Sequence, residues 1–173
     1  MKRLTGLFLL GIIPVLLPSV LNAAATGAVS AKITLELEGR SFPVSAAQVT
    51  ILDKEIDLRT VDFTAKQNAK KSKNEKRAYH LYRYTYLVRK IEDSRRVGVR
   101  QVRSGIVTKR ADINGEVLVR YLEPGDYFIG AYRKMGKKTA VWFVPFSVTA
   151  GRVFQVNLDN SNVFEFYDPE LYP

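Results

Sequence analysis

The most constraining feature of the chain is the stretch from residue 111 to 134, which reads ADINGEVLVRYLEPGDYFIGAYRK. Asn114-Gly115 and Pro124-Gly125 are dipeptides whose backbone preferences suit tight turns. The segments that follow them, EVLVRYL and DYFIGAYR, are rich in the β-branched and aromatic residues that strands favour. We therefore predict two antiparallel strands, with Pro124-Gly125 closing a hairpin between them.

Apolar and polar residues also alternate in KITLELEG, AAQVTILD, TAVWFVPFSV and RVFQVNL. Pro145 has no N–H to donate, so its strand is predicted to lie at an edge or to bulge there. No segment after residue 25 shows clear helical periodicity, and the predicted fold class is an all-β, antiparallel β-sandwich. The positions predicted to face its core are Ile33, Leu35, Leu37, Ala47, Val49, Ile51, Trp142, Val144, Phe146 and Val148.

Three segments carry a resemblance to a known family. LELEGRSFPVSAAQVTILD, the 111–133 stretch and FSVTAGRVFQVNLD resemble the opening, centre and close of carboxypeptidase regulatory-like domains. The most specific part is the group formed by Leu122, Pro124, Gly125 and Tyr127. The resemblance covers residues 31–57 and 106–159, and it implies a prealbumin-like (transthyretin-like) sandwich of about seven strands.

The chain departs from that family between residues 58 and 108, where the family has a short connection. The segment begins with the lysine-rich KQNAKKSKNEKR and continues with AYHLYRYTYLVRKI, EDSRR and VGVRQVRSGIV. Two β-prone runs separated by a charged turn predict a long basic hairpin insertion. A helix over residues 78–91 is the alternative, because Tyr79, Tyr82 and Tyr86 also fall at helical spacing.

Positive charge is concentrated in this insertion. The full chain carries a formal charge of +10, and Lys66 to Arg110 contain 15 basic and 3 acidic residues. Basic residues interleaved with tyrosines suit an anionic partner, namely an anionic envelope polymer or an acidic envelope protein, with a membrane surface as a further option. A solvated edge that discourages aggregation is the structural alternative. The candidate contact residues are Tyr79, Tyr82, Arg83, Tyr84, Tyr86, Arg89, Arg95, Arg96, Arg100 and Arg103.

The first 25 residues have the pattern of a signal peptide. Lys2 and Arg3 precede an apolar stretch, and NAAATGA supplies the small residues for cleavage after Ala25. Pro14 and Pro18 weaken the alternative, a retained membrane anchor. We expect export to the periplasm or cell surface, with residues 26–173 forming one domain. For an exported chain, nucleic acid is a disfavoured partner.

The composition offers little for catalysis or metal binding. There is no cysteine, and His80 is the single histidine, so neither a Cys–His pair nor a conventional zinc site can form. Asp112, Asn114 and Glu116 resemble a calcium loop, but the same residues make an ordinary turn. We predict no catalytic residue, cofactor or metal, and an aromatic C-terminal tail that packs on its own domain. The predicted function is a non-enzymatic interaction or assembly module; the alternative is a small hydrolase or transferase using Asp and Tyr residues in a cleft.

Overall fold

The structure, a computed structural model, describes residues 26–98 and 107–172, with the backbone alone for residues 95–98. The elements follow in the order β1 (Gly27–Leu37), β2 (Arg40–Pro43), β3 (Gln48–Leu52), α1 (Leu58–Ala69), α2 (Glu75–Gly98), β4 (Val107–Arg110), β5 (Glu116–Leu122), β6 (Gly125–Met135), β7 (Lys138–Val148), β8 (Val153–Leu158), β9 (Val163–Tyr167) and a 3-10 turn (Pro169–Leu171).

Two sheets form the predicted β-sandwich. In the first sheet β1 pairs with β2, β5 and β8; the second sheet has the order β4-β3-β6-β7-β9. All pairs are antiparallel except β1 with β8, which is parallel. The described residues hold nine strands, more than the seven or so predicted, because β2 and β4 are only four residues long and β9 lies in the C-terminal tail.

The sandwich core follows the predicted alternation. The side chains of Ile33, Val49, Trp142 and Phe146 are buried between the sheets with those of Leu158 and their neighbours. Pro145 is exposed and pairs with Phe128 of β6, whereas β9 reaches β7 only from Thr139 to Trp142. Among the described residues β7 is therefore paired on one side only at Pro145, as predicted for a strand that contains a proline.

The Pro124-Gly125 turn does not close a hairpin, which corrects the sequence prediction. β5 pairs with β1 in the first sheet, whereas β6 pairs with β3 and β7 in the second. The chain therefore arches from one sheet to the other, and Tyr121, with φ of 65°, lies in a left-handed conformation just before it does so. Turn residues predict a change of direction but not the sheet that receives the next strand. The last two predicted strands, β7 and β8, are separated between the sheets in the same way.

The basic insertion is helical, and the predicted hairpin was wrong. Asp57 caps α1 by accepting hydrogen bonds from the backbone N–H groups of Arg59 and Thr60. Asn74 caps α2 by accepting from the N–H of Arg77. The β-prone residues of α2 adopt a helix because it lies on the outer face of the second sheet, where burial outweighs local propensity.

A second core lies between these helices and the sheet. Leu52, Val141 and Phe143 project from the sheet towards Leu87 and Ile91 of α2. Consequently the central strands are buried on both faces, and Thr139 to Phe143 form one continuous buried run. An uninterrupted apolar run is typical of a strand covered on both sides, so TAVWFV already carried this signal.

Candidate functional site

The contact between α2 and β9 is built around a buried carboxylate. Glu165 is only 5% exposed, and it accepts a hydrogen bond from Arg83 Nη1 at 2.8 Å. Its other oxygen lies 3.0 Å from Nδ1 of His80. Burial raises the pKa of Glu165, while the charges and hydrogen bonds of Arg83 and His80 oppose that rise. The network thus joins the basic insertion to the C-terminal strand.

A second carboxylate shares the same arginine. Arg83 Nε lies 3.2 Å from Oδ1 of Asp62 in α1, and the same oxygen accepts a hydrogen bond from the Tyr79 hydroxyl. The other carboxylate oxygen, Oδ2, pairs with Lys66 at 2.9 Å. Hydrogen bonds from Tyr79 and, to a smaller extent, Lys66 lower the pKa of Asp62. Burial and, to a smaller extent, the hydrogen bond to Asp62 raise the pKa of Tyr79 to about 12. Arg83 is thus held between Asp62 of α1 and Glu165 of β9, and its side chain has little freedom to contact a ligand.

Aromatic rings enclose this network from the C-terminal side. The Arg83 guanidinium lies 4.5 Å from the centre of the Phe164 ring, and Tyr172 stacks on His80 at 4.5 Å between centroids. Tyr172 also stacks on Tyr167, at 6.2 Å. The aromatic tail therefore packs on its own domain, as predicted, and covers the single histidine.

The structure disperses the other candidate contact residues. Tyr84 and Tyr86 pack at the border of the second core, and Tyr82 stacks on Tyr86 at 5.8 Å. Arg89 is exposed, with its side chain 75% accessible and 3.8 Å from Asp93. Two further candidates, Arg95 and Arg96, lie in the last turns of α2, where the backbone alone is described; Arg100 and Arg103 lie outside the described residues.

The turn between the two helices carries exposed lysines that sequence analysis did not single out. We call Lys70, Lys71, Lys73 and Lys76 the basic tip; all four are exposed. Beside the tip, α1 and α2 border a cleft of about 640 Å³ that Phe63, Lys66, Lys70, Lys76 and Tyr79 help to line. Phe63 is 63% exposed, so the cleft lining combines an exposed apolar side chain with those of three lysines.

A second cleft lies at the far end of the β6–β7 hairpin. It has a volume of about 600 Å³, and we call it the hairpin cleft. Its walls come from α2, from the hairpin and from the C-terminal segment. The lining residues are Arg77, Leu81, Tyr84, Lys134, Gly136, Lys137, Thr139, Tyr167, Pro169 and Glu170.

The calcium reading of the turn before β5 finds no support in its geometry. Oδ1 of Asp112 accepts hydrogen bonds from the backbone N–H groups of Asn114 and Glu116, at 2.9 and 2.8 Å, so it stabilises the turn itself. The described residues contain no group of three or more His, Asp or Glu side chains placed to hold a metal ion. Within the same residues, no helix has the length and apolar character needed to cross a membrane.

Sequence analysis missed three members of the α2–β9 contact, namely Asp62, Phe164 and Glu165. A signal for Glu165 exists in VFEFY, where a lone carboxylate interrupts an apolar strand. Such a residue is seldom buried without a partner, so a buried ion pair could have been expected there. The identity of the partner, Arg83, depends on the path of α2 and could not be read from the pattern.

Comparisons with known proteins find similar solved structures, and all of those described below are distant in sequence. No family model matches the chain, so the carboxypeptidase regulatory-like resemblance remains a prediction, and no curated protein matches it. Similar solved structures include the minor pilin GBS52 of Streptococcus agalactiae, with 8% identity, a TM-score of 0.43 and coverage of 78% of this chain and 44% of the pilin. The shaft pilin SpaA of Lactobacillus rhamnosus GG has 11% identity, a TM-score of 0.40 and coverage of 79% and 50%.

A third similar structure comes from Pseudomonas aeruginosa and is named a "putative carbohydrate binding protein". It has 13% identity and a TM-score of 0.45, and the match covers 79% of this chain and 90% of that one. The chain thus spans half or less of the two pilins it resembles. The strand pairing and the core of this chain themselves define its β-sandwich.

Proposed function

We propose that the protein is an exported, non-enzymatic interaction or assembly module of the bacterial envelope, and that it contacts an anionic partner through the basic tip. Export rests on the signal-peptide pattern of residues 1–25. The partner is an anionic envelope polymer or an envelope protein with an acidic face. Such a partner complements a surface that gathers positive charge on one projecting element.

The exposed lysines of the basic tip are the observation that carries this proposal. Lys66 pairs with Asp62 and Arg83 pairs with Glu165, so carboxylates of the same domain partly neutralise these two charges. The side chains of Lys70, Lys71 and Lys73, by contrast, have no ionic partner among the described residues. Their charge is therefore available to an external anion, and contact with it would weaken as salt is added.

The test is the salt concentration at which the purified protein elutes from an immobilised sulfated or phosphorylated polymer. The variant Lys70→Gln/Lys71→Gln/Lys73→Gln removes three charges from the tip. The matched control, Lys32→Gln/Lys54→Gln/Lys109→Gln, removes three charges outside the helices. We expect the tip variant to elute at distinctly lower salt than the control. Equal elution of the two variants would mean that overall charge, and not the tip, determines binding.

The alternative, a small hydrolase or transferase, would need carboxylates that face a cleft. Asp62 and Glu165 do have pKa values shifted in opposite directions, a pattern that acid–base pairs in enzymes share. However, neither of the two clefts described above is lined by either carboxylate. Both carboxylates instead accept hydrogen bonds from residues of α2, so we interpret them as the joint between helix and sheet.

A further inference from the structure

The hairpin cleft lies where the N-terminal half of α2 overhangs the end of the second sheet. Leu81 and Tyr84 form one wall, and Pro169, which follows β9, contributes to another. Gly136, at the turn of the β6–β7 hairpin, has φ of 63°, a left-handed conformation that favours glycine. The cleft is therefore bounded by three chain segments that the sandwich and its helical layer hold in place.

Thr139 lines this cleft and has an unsatisfied hydroxyl. The residue is 5% exposed, and its Oγ1 has no hydrogen-bond partner among the described residues. A buried polar atom without a partner is uncommon in a native fold, because its lost hydration is not replaced. Because Oγ1 itself is buried, a rotation about χ1 is needed to bring it to a ligand in the cleft that Thr139 lines.

Positive charge surrounds the same cleft. Arg77, Lys134 and Lys137 line it, against the single carboxylate of Glu170. The Nε of Arg77 donates to the Tyr167 hydroxyl at 3.1 Å, which holds the guanidinium in place, and its terminal nitrogens pair with none of the described residues. An arginine oriented in this way is suited to bidentate contact with a carboxylate or phosphate.

We propose that the hairpin cleft binds an acidic sugar residue, meaning a sugar ring that carries a carboxylate or a phosphate. The anionic group contacts Arg77, Lys134 and Lys137, and the ring packs on Leu81 and Pro169. A ring hydroxyl pairs with Oγ1 of Thr139, since both groups can donate and accept. At about 600 Å³ the cleft exceeds the needs of a bare ion and is within the usual range of small-molecule sites. This inference does not depend on the basic tip, because none of the four tip lysines lines the hairpin cleft.

Isothermal titration of the purified protein with glucose 6-phosphate and with glucuronate tests the proposal, with glucose as the neutral control. We expect both anions to bind saturably at one site and glucose to bind at least about tenfold more weakly, since the cations then lack a partner. Saturable binding by either anion supports an acidic-sugar site, and the stronger of the two identifies the preferred anionic group.

Thr139→Val distinguishes a binding role from a folding role. Valine has nearly the same shape, so it removes the unsatisfied hydroxyl without opening a cavity, and the melting temperature should stay level or rise. Sugar affinity should nevertheless fall by about fivefold or more, the loss expected for one neutral hydrogen bond. Lys134→Gln/Lys137→Gln should weaken binding of the anions, whereas the control Lys54→Gln, at the opposite end of the sheet, should leave it unchanged.

Three results would overturn the proposal. One is the absence of saturable binding by either anionic sugar. Another is full affinity in a folded Thr139→Val variant, which would leave the hydroxyl without a role. The third is inorganic phosphate or a glutamate-rich peptide binding as tightly as glucose 6-phosphate, which would indicate a site for an ion or an acidic protein and no selection for a sugar.

Discussion

Arg83 Nη1 donates to Oε2 of Glu165 at 2.8 Å and so joins α2 to β9 across 82 positions of the chain. The pair lies where the helical layer meets the C-terminal strand, and Phe164 covers the guanidinium. Because Glu165 is buried, the two charges depend on each other for compensation. The pair therefore couples the stability of the insertion to that of the tail.

Replacing Arg83 should destabilise the fold strongly. Arg83→Met keeps much of the side-chain volume but leaves the buried Glu165 carboxylate with His80 alone. We expect a loss of about 3–5 kcal/mol in the free energy of unfolding, as for other buried pairs broken on one side. Urea denaturation followed by circular dichroism measures this loss.

The double variant Arg83→Met/Glu165→Leu serves as the control for that loss. It removes both charges, so no uncompensated carboxylate remains and most of the lost stability should return. If the double variant were as unstable as the sum of its single variants, the charge pairing would not be the cause.

Gly130 sets the distance between α2 and the second sheet. A Cβ placed there would lie 2.9 Å from Cδ1 of Ile91, a side chain that is fully buried. Gly130→Ala should therefore cost about 1–3 kcal/mol, the range for overpacking a filled core. Thermal unfolding of Gly130→Ala, Ile91→Ala and their combination tests this. Because Ile91→Ala removes Cδ1, Cγ1 and Cγ2, the three atoms that the new Cβ would meet, the combined loss should be smaller than the sum; simple additivity would contradict the proposed clash.

Excision of the helices should expose the outer face of the second sheet. If residues 58–98 were a removable binding element, a variant with a Gly-Ser linker in their place would stay folded. The structure predicts the opposite, since Leu52, Val141 and Phe143 would lose their cover. We expect the linker variant to bind a hydrophobic dye such as ANS and to unfold at lower urea. Polar replacement of those three residues should reduce the dye binding; a linker variant as stable as the parent would refute the prediction.

Acid should weaken the C-terminal segment through Asp168. Lys138 Nζ lies 2.8 Å from its Oδ2, and this hydrogen bond holds the pKa of Asp168 below its usual value of 3.8. A carboxyl with a lowered folded-state pKa adds stability above its unfolded pKa and loses it as the pH falls through the folded one. Stability measured against pH should therefore fall less steeply below pH 3.8 in Asp168→Asn than in the parent. Parallel profiles would show that the pair adds nothing.

The extent of sequence prediction differs between the two layers of the molecule. Ile33, Val49 and Trp142 were predicted to face a core because period-2 alternation follows from the backbone geometry of a strand. The tyrosine run of α2 misled the same reasoning, since Tyr, Val and Ile favour strands in isolation and adopt a helix here against an apolar sheet. Arg83 was predicted as a contact residue from its charge and its place among the tyrosines; its pairing with Glu165 depends on elements far apart in the chain.

The sequence by itself determined the longer strands of the sandwich, the turns and the excess of positive charge between residues 66 and 110, because these depend on local backbone preference and on composition. The tertiary structure alone decided that β5 and β6 enter different sheets, that the insertion forms a helical layer, and that the Thr139 hydroxyl is buried without a hydrogen-bond partner among the described residues. Each of these depends on which apolar faces cover one another. Which apolar faces pack together depends on the burial of apolar surface over the whole chain, and a local sequence pattern does not contain that information.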